Sequence, residues 1–226
     1  LSTKTSKLKV GFFGDSWCGC STKNKQIYDI SWPNLLTKKL NAEPLYTCLP
    51  GGHLFHAYEK LENHLNEVDY AIIVVSDPYR LPSEYQIPAM SAGYDDEVAE
   101  RLLGKRQADM FGKYVEYHYR FFSRKYSGIA QKGLLSEIDN MVKDKKALII
   151  PGFKLSMQGY KITNAAYTNC TLHSIKRKRF DKNKTIANHL NEEENIVLAN
   201  ALYDFITSDY KKGEFDLKKY FKYLYN

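Results

Sequence analysis

Cysteine is scarce: the 226 residues carry 4, at Cys18, Cys20, Cys48 and Cys170. So few thiols, spaced so unevenly, make no disulfide framework, and reduced thiols in a cytosol are the simpler reading. Long hydrophobic runs are missing as well. The longest strongly apolar stretch, Tyr70-Ala-Ile-Ile-Val-Val75, is far short of the roughly 18 residues a helix needs to cross lipid. The segment from Leu1 to Leu8 is polar and basic with no apolar run behind it, so it lacks the pattern of a secretory leader, and a cytoplasmic setting is expected. Gly (13) and Pro (7) are not enriched, which excludes collagen-like and low-complexity chains. Charge of one sign does not dominate either. The net +7 and the pI near 9.0 permit an acidic partner without requiring one.

What remains is the balance of a folded protein, with 43% hydrophobic, 26% charged and 14% aromatic residues. A chain of this length buries enough surface for one sizeable core without covalent staples. No internal repeat or linker divides it, so one domain over residues 1–226 is expected.

Leu8 to Phe13 is a short apolar run that stops at Gly14-Asp15-Ser16, a strand ending in a tight turn. Trp32-Pro33 opens a helix with Ser31 as N-cap. A second strand is expected over Pro44–Leu49, closed by Pro50-Gly51-Gly52. Leu54, Tyr58, Leu61 and Leu65 then recur at helical spacing. Tyr70–Val75 and Ala147–Ile150 are unbroken and rich in β-branched residues, the mark of strands buried on both faces in a parallel sheet. Leu134, Leu135, Ile138 and Met141 form the crossover helix between them. A weaker strand is expected over Thr168–Ile175. A strong helix begins at Asn191 with Glu194 three residues on, a capping box. The tail, with Leu217, Phe221 and Leu224 among lysines, reads as a surface helix over residues 214–226.

The alternation predicts a three-layer α/β/α sandwich on a mostly parallel sheet. A helical, aromatic-rich insertion over residues 78–128 lies on the sheet's carboxyl edge, with Phe111, Tyr114, Tyr117, Tyr119, Phe121, Phe122 and Tyr126 as its core or as a pocket wall. Ligands of such sheets bind beyond the carboxyl ends of the strands. Four polar features fall there: Gly14-Asp15-Ser16, Pro50-Gly51-Gly52, Ser76-Asp77-Pro78 and Asn188-His189-Leu190. A serine straight after a buried strand and a histidine just ahead of the closing helix would share one rim.

These residues carry a resemblance. Val10-Gly-Phe-Phe-Gly-Asp-Ser-Trp17 resembles the first block of the SGNH, or GDSL-type, hydrolases. Pro50-Gly51-Gly52 is similar to their second block, and Asn188-His-Leu-Asn-Glu-Glu193 before an apolar helix is similar to their last. The resemblance implies a flavodoxin-like sandwich and acyl-transfer chemistry on an ester or an acetylated glycan. It makes Ser16 the nucleophile and His189 its base, and puts the N–H groups of Ser16 and Gly51 in the oxyanion hole, worth roughly 3 kcal/mol per donor. It implies no cofactor and no metal. Two positions depart from the pattern. The aspartate three residues before the histidine is replaced by Ile186, with Asp181 the nearest acid upstream. The oxyanion asparagine at the third strand is replaced by Ser76 and Asp77.

Other readings of the same residues stand beside this one. His53 and His56 are a weak metal pair, and Cys18-Gly19-Cys20 has the wrong spacing for a zinc knuckle. The run Lys176-Arg-Lys-Arg179, with Lys182 and Lys184, reads as a solvated loop before it reads as a nucleic-acid surface. A chain that kept the fold and lost efficient chemistry would serve as a carbohydrate-binding or structural component, for example of a virion. The oligomeric state is not legible.

Overall fold

The computed structural model describes residues 7–19, 25–82, 89–90, 93–94, 96–176 and 186–224. In chain order the elements are β1 (Lys9–Phe13), α1 (Lys25–Ile30), α2 (Trp32–Leu40), β2 (Glu43–Tyr46), α3 (Leu54–His64) and β3 (Tyr70–Val75). Next come β4 (Ala89–Met90), β5 (Gly93–Tyr94), α4 (Asp96–Leu103), α5 (Lys105–Phe121) and α6 (Arg124–Met141). The chain continues through β6 (Lys146–Pro151), β7 (Ala166–Thr168), α7 (Leu172–Ile175), β8 (Ile186–Ala187), β9 (Leu190–Asn191), α8 (Glu192–Thr207) and β10 (Gly213–Phe215).

Six strands form one sheet in the order β10-β7-β6-β3-β1-β2, and every pairing in it is parallel. Side chains alternate across it with period two. Val10, Phe12, Ile72, Val74, Leu148 and Ile150 enter one core, while Phe13, Ala71, Ile73, Val75, Ala147 and Ile149 enter the other. Helices α2 and α8 cover the first face, and α3 and α6 the second. The result is the expected α/β/α sandwich. Strand order reverses between β1 and β3, so the loop after β1 lies at the topological switch point, where ligands of such sheets bind.

Several local expectations need correction. The tail is not a surface helix over 214–226. Gly213–Phe215 joins the sheet as a sixth strand beside β7, and a 3-10 helix follows over Lys218–Leu224. The apolar spacing in the tail marks inward-facing residues all the same, since Leu217 and Phe221 are buried in the first core. The strand expected over Thr168–Ile175 ends at Thr168, because Thr171 and Ser174 form a capping box that starts α7. Ser31 holds the N-cap position of α2, but its hydroxyl donates to Tyr28 O, and the Trp32 N–H is taken by Asn195 Oδ1 at 2.9 Å.

The largest correction concerns the aromatic residues of 78–128. The small core there is built by Leu81, Ala99, Ala108, Phe111 and Val115. Tyr117, Phe121 and Tyr126 are 59%, 69% and 61% exposed. Of the seven aromatics expected there, Phe111 is buried and Tyr119 packs against this core, while Tyr114, Tyr117, Phe121 and Tyr126 face outward, because the buried stripe of α5 runs through Ala108, Phe111, Val115 and His118. Tyr119 and Phe122 line a cleft, as the pocket-wall reading expected.

Candidate active site

The turn after β1 is built to bring a side chain to the rim. Gly14 has φ +146°, and a Cβ there would stand 2.6 Å from Val74 O, so only glycine lets the chain hug β3. The Asp15 carbonyl then accepts the Cys18 and Gly19 N–H groups at 3.1 and 3.0 Å, closing a single turn that presents Ser16.

On the far side of the sequence, β8 and β9 form a hairpin whose two-residue loop is Asn188-His189. Both residues have positive φ, 55° and 63°. That pair of values is the type I′ geometry of a tight hairpin, which asparagine and histidine enter more readily than most residues other than glycine. Asn188 Nδ2 fixes the hairpin to the Ser16 turn by donating to Trp17 O at 3.0 Å and Gly19 O at 2.7 Å. Asn195 Nδ2, from α8, binds the carbonyls of Ala187, Leu190 and Asn191.

The outcome is a hydrogen bond of 2.7 Å between Ser16 Oγ and His189 Nε2, across 173 residues of sequence. The imidazole packs on the buried Trp17 indole, with centroids 4.7 Å apart. Desolvation, and then the positive charges of Lys176 and Arg80, hold its pKa below the ordinary 6.5. The ring is therefore neutral at pH 7 and able to take a proton.

The N–H groups of Ser16 and Gly51 have no acceptor among the described residues. Gly51 itself adopts φ +73°. Around them runs a network absent from the sequence reading. Arg80, with its side chain 10% exposed, places Nη1 at 2.9 Å from Asp15 Oδ2 and donates to Gly52 O at 3.0 Å. It clamps the Ser16 turn to the second loop. Asp15 is fully buried and also accepts the Trp17 N–H. Burial pushes its pKa up, while Arg80 and that N–H pull it back. No local signal in Asp77-Pro-Tyr-Arg80 announces a partner 65 positions earlier, so only the fold reveals the clamp.

The remaining candidates fall as follows. Ser76 is buried, its carbonyl accepts Gln131 Nε2, and its hydroxyl has no partner among the described residues. Asp77 Oδ1 accepts the Tyr79 N–H at 2.8 Å. Ile186 lies in β8 opposite Asn191, and His189 Nδ1 has no hydrogen-bond partner among the described residues. Asp181, Cys20, Arg177 to Arg179, Lys182 and Lys184 lie outside the described residues. His53 caps α3, its Nδ1 accepting the Phe55 N–H, and His56 Nε2 bonds Thr47 O at 2.9 Å. Among the described residues no group of three metal-ligating side chains converges. Burial raises the thiol pKa of Cys18, which lies beside Cys48. No described helix is long and apolar enough to cross a membrane.

No family model matches the chain, and no curated protein matches it in sequence. Solved structures do match. A carbohydrate esterase whose active site displays divergent catalytic and non-catalytic binding functions superposes at a TM-score of 0.51 and 9% identity, over 93% of this chain and 68% of that one. A protein assigned to the G-D-S-L lipolytic family, from Desulfitobacterium hafniense DCB-2, gives 0.45 at 11% identity, over 87% and 98%. A psychrotrophic esterase from Pseudoalteromonas sp. gives 0.46 at 15% identity, over 88% and 96%. At such identities the likeness is one of architecture alone: the chain shares the α/β/α fold of that carbohydrate esterase.

Proposed function

We propose that this protein is a serine ester hydrolase, an esterase or deacetylase, in which Ser16 is the nucleophile and His189 the general base. The observation that carries the reading is the 2.7 Å Ser16–His189 hydrogen bond at the switch point of the sheet. The Ser16 hydroxyl attacks the ester carbonyl, a C–Oγ bond forms, and the proton passes to Nε2. The N–H groups of Ser16 and Gly51 take the developing oxyanion. His189 then returns the proton to the leaving alcohol. Water repeats the sequence on the acyl-enzyme and releases the acid. Ester and water are consumed, acid and alcohol appear, and no cofactor is needed.

Two features adapt this chain to the missing family residues. With Ile186 in the usual acid position, the ring is oriented by the left-handed Asn188-His189 turn and by Trp17, and no carboxylate among the described residues bonds it. With no asparagine after β3, Arg80 supplies positive potential near the oxyanion and holds its two loops together. Substrates by this reading are small esters or acetylated carbohydrates, in keeping with the esterases that share the fold. The lack of a carboxylate on the ring among the described residues also supports a second reading, a binding protein with residual chemistry.

A fluorophosphonate probe separates the two. Labelling of the wild-type protein, lost in Ser16→Ala and strongly slowed in His189→Ala, supports the hydrolase. Folded protein that takes no label sinks it and leaves the binding role.

A further inference from the structure

A cleft of about 530 Å³ is lined by Arg80, Arg120 and Arg124 together with Tyr79, Phe153 and Asp77, its sole carboxylate. Ser16 and His189 do not line it, but two of its lining residues touch the residues that flank them. Arg80 reaches Asp15, the neighbour of Ser16. Phe153, another lining residue, packs edge-on against Trp17 at 5.8 Å, and Trp17 carries the His189 ring.

The three guanidinium groups differ in how their charge is answered. Asp15 answers Arg80 from below, and Glu116 answers Arg120 at 3.1 Å on the exposed side. Arg124 has no acid partner among the described residues. Its guanidinium lies over the Tyr79 ring, 5.3 Å from the centroid. It is also the first residue of the 18-residue helix α6, whose first turn holds no acid. A cation there opposes the helix dipole, so helix stability does not account for it. A guanidinium that rests over an aromatic ring makes no hydrogen bond to it and keeps its N–H donors for an oxyanion, which a guanidinium can grip through two bonds.

We infer that the ester substrate is itself an anion, its carboxylate or phosphate held in this cleft by Arg124, with Arg120 beside it and the scissile acyl group at Ser16. This deepens the reading of the protein as a hydrolase and rests on it. An acidic sugar bearing an O-acyl group meets the description, its carboxylate answering the guanidinium groups and its hydroxyls the polar lining of Ser127, His118 and Asp77.

The test compares O-acetylated glucuronate with O-acetylated glucuronamide, equal in size and different in charge, and adds O-acetylated glucose 6-phosphate as a second anion. Wild-type protein is expected to show a kcat/KM roughly tenfold higher for at least one anion than for the amide, about 1.4 kcal/mol of discrimination, carried mainly in KM. Arg124→Gln should bring that ratio close to one, and Arg124→Lys should keep part of it. The better anion tells carboxylate from phosphate recognition. Equal rates on charged and neutral esters, or a preference that survives Arg124→Gln, overturn the inference while leaving the hydrolase standing. If no ester is cleaved, the hydrolase reading fails instead. The cleft is then judged by calorimetric binding of glucuronate against glucuronamide: tighter glucuronate binding lost in Arg124→Gln supports the anion site, and equal binding rejects it.

Discussion

Among single residues, the Asp15–Arg80 pair decides most. Its carboxylate is fully buried, and the guanidinium is the one partner that offsets its desolvation with opposite charge. Removing one member of such a pair leaves an uncompensated charge in the interior, which costs about 3–5 kcal/mol, whereas replacing both is often close to neutral. Arg80→Met is therefore expected to lower the urea-unfolding free energy by about that amount. Asp15→Asn combined with Arg80→Met should recover most of it. Equal losses in the single and double variants would mean that the pair matters for packing and not for charge. Glycine 14 illustrates the legible side of this scale. The turn after β1 was expected from Gly14-Asp15-Ser16 alone, and the close approach to Val74 O gives the physical cause. The guanidinium was not legible, because nothing in a sequence window records which distant loop an arginine folds back onto.

At the scale of elements, the buried strands β3 and β6, the crossover helix α6 and the capped helix α8 follow from periodicity and capping chemistry. The β8–β9 hairpin does not. Its strands are two residues each, too short to leave a periodic signal, and it exists because Asn188 and Asn195 pin it to the nucleophile turn and to α8. Asn188→Gly keeps the left-handed backbone at no steric cost and removes the bonds to Trp17 O and Gly19 O. Folding stability should fall by about 1–3 kcal/mol, since two carbonyls lose a donor. Fluorophosphonate labelling should slow by roughly 10- to 100-fold as the imidazole drifts from Ser16. Labelling at the wild-type rate would show that the hairpin holds the ring without that anchor. The tail strand β10 was missed for a related reason: three residues, Gly-Glu-Phe, pair with the open edge of β7 only because the tertiary fold leaves that edge beside them.

For the molecule as a whole, burial of histidine sets the response to acid. His53, His56, His118 and His189 all have pKa values lowered from 6.5, chiefly by desolvation, and His53 is pushed down to about 4. The unfolded chain takes up protons that the folded one refuses. Stability is thus complete above the ordinary histidine pKa and declines as pH falls through it, His53 alone contributing up to ~1.4 kcal/mol per pH unit until its folded pKa is reached. The urea midpoint should drop between pH 7.5 and pH 5, and His53→Gln should flatten the slope. A midpoint independent of pH over that interval would contradict the burial. By itself the sequence determined the layered fold and the polar turns at the strand ends, because alternation, capping and turn chemistry act between near neighbours, and its resemblance to the SGNH hydrolases singled out Ser16, Gly51 and His189 within those turns. Only the tertiary structure decided that Ser16 and His189 meet, that Arg80 clamps the loops beneath them, and that Arg124 stands without an acid partner over Tyr79. Those contacts join residues 45 to 173 positions apart, and a chain's local pattern carries no record of which distant surfaces its folding brings together.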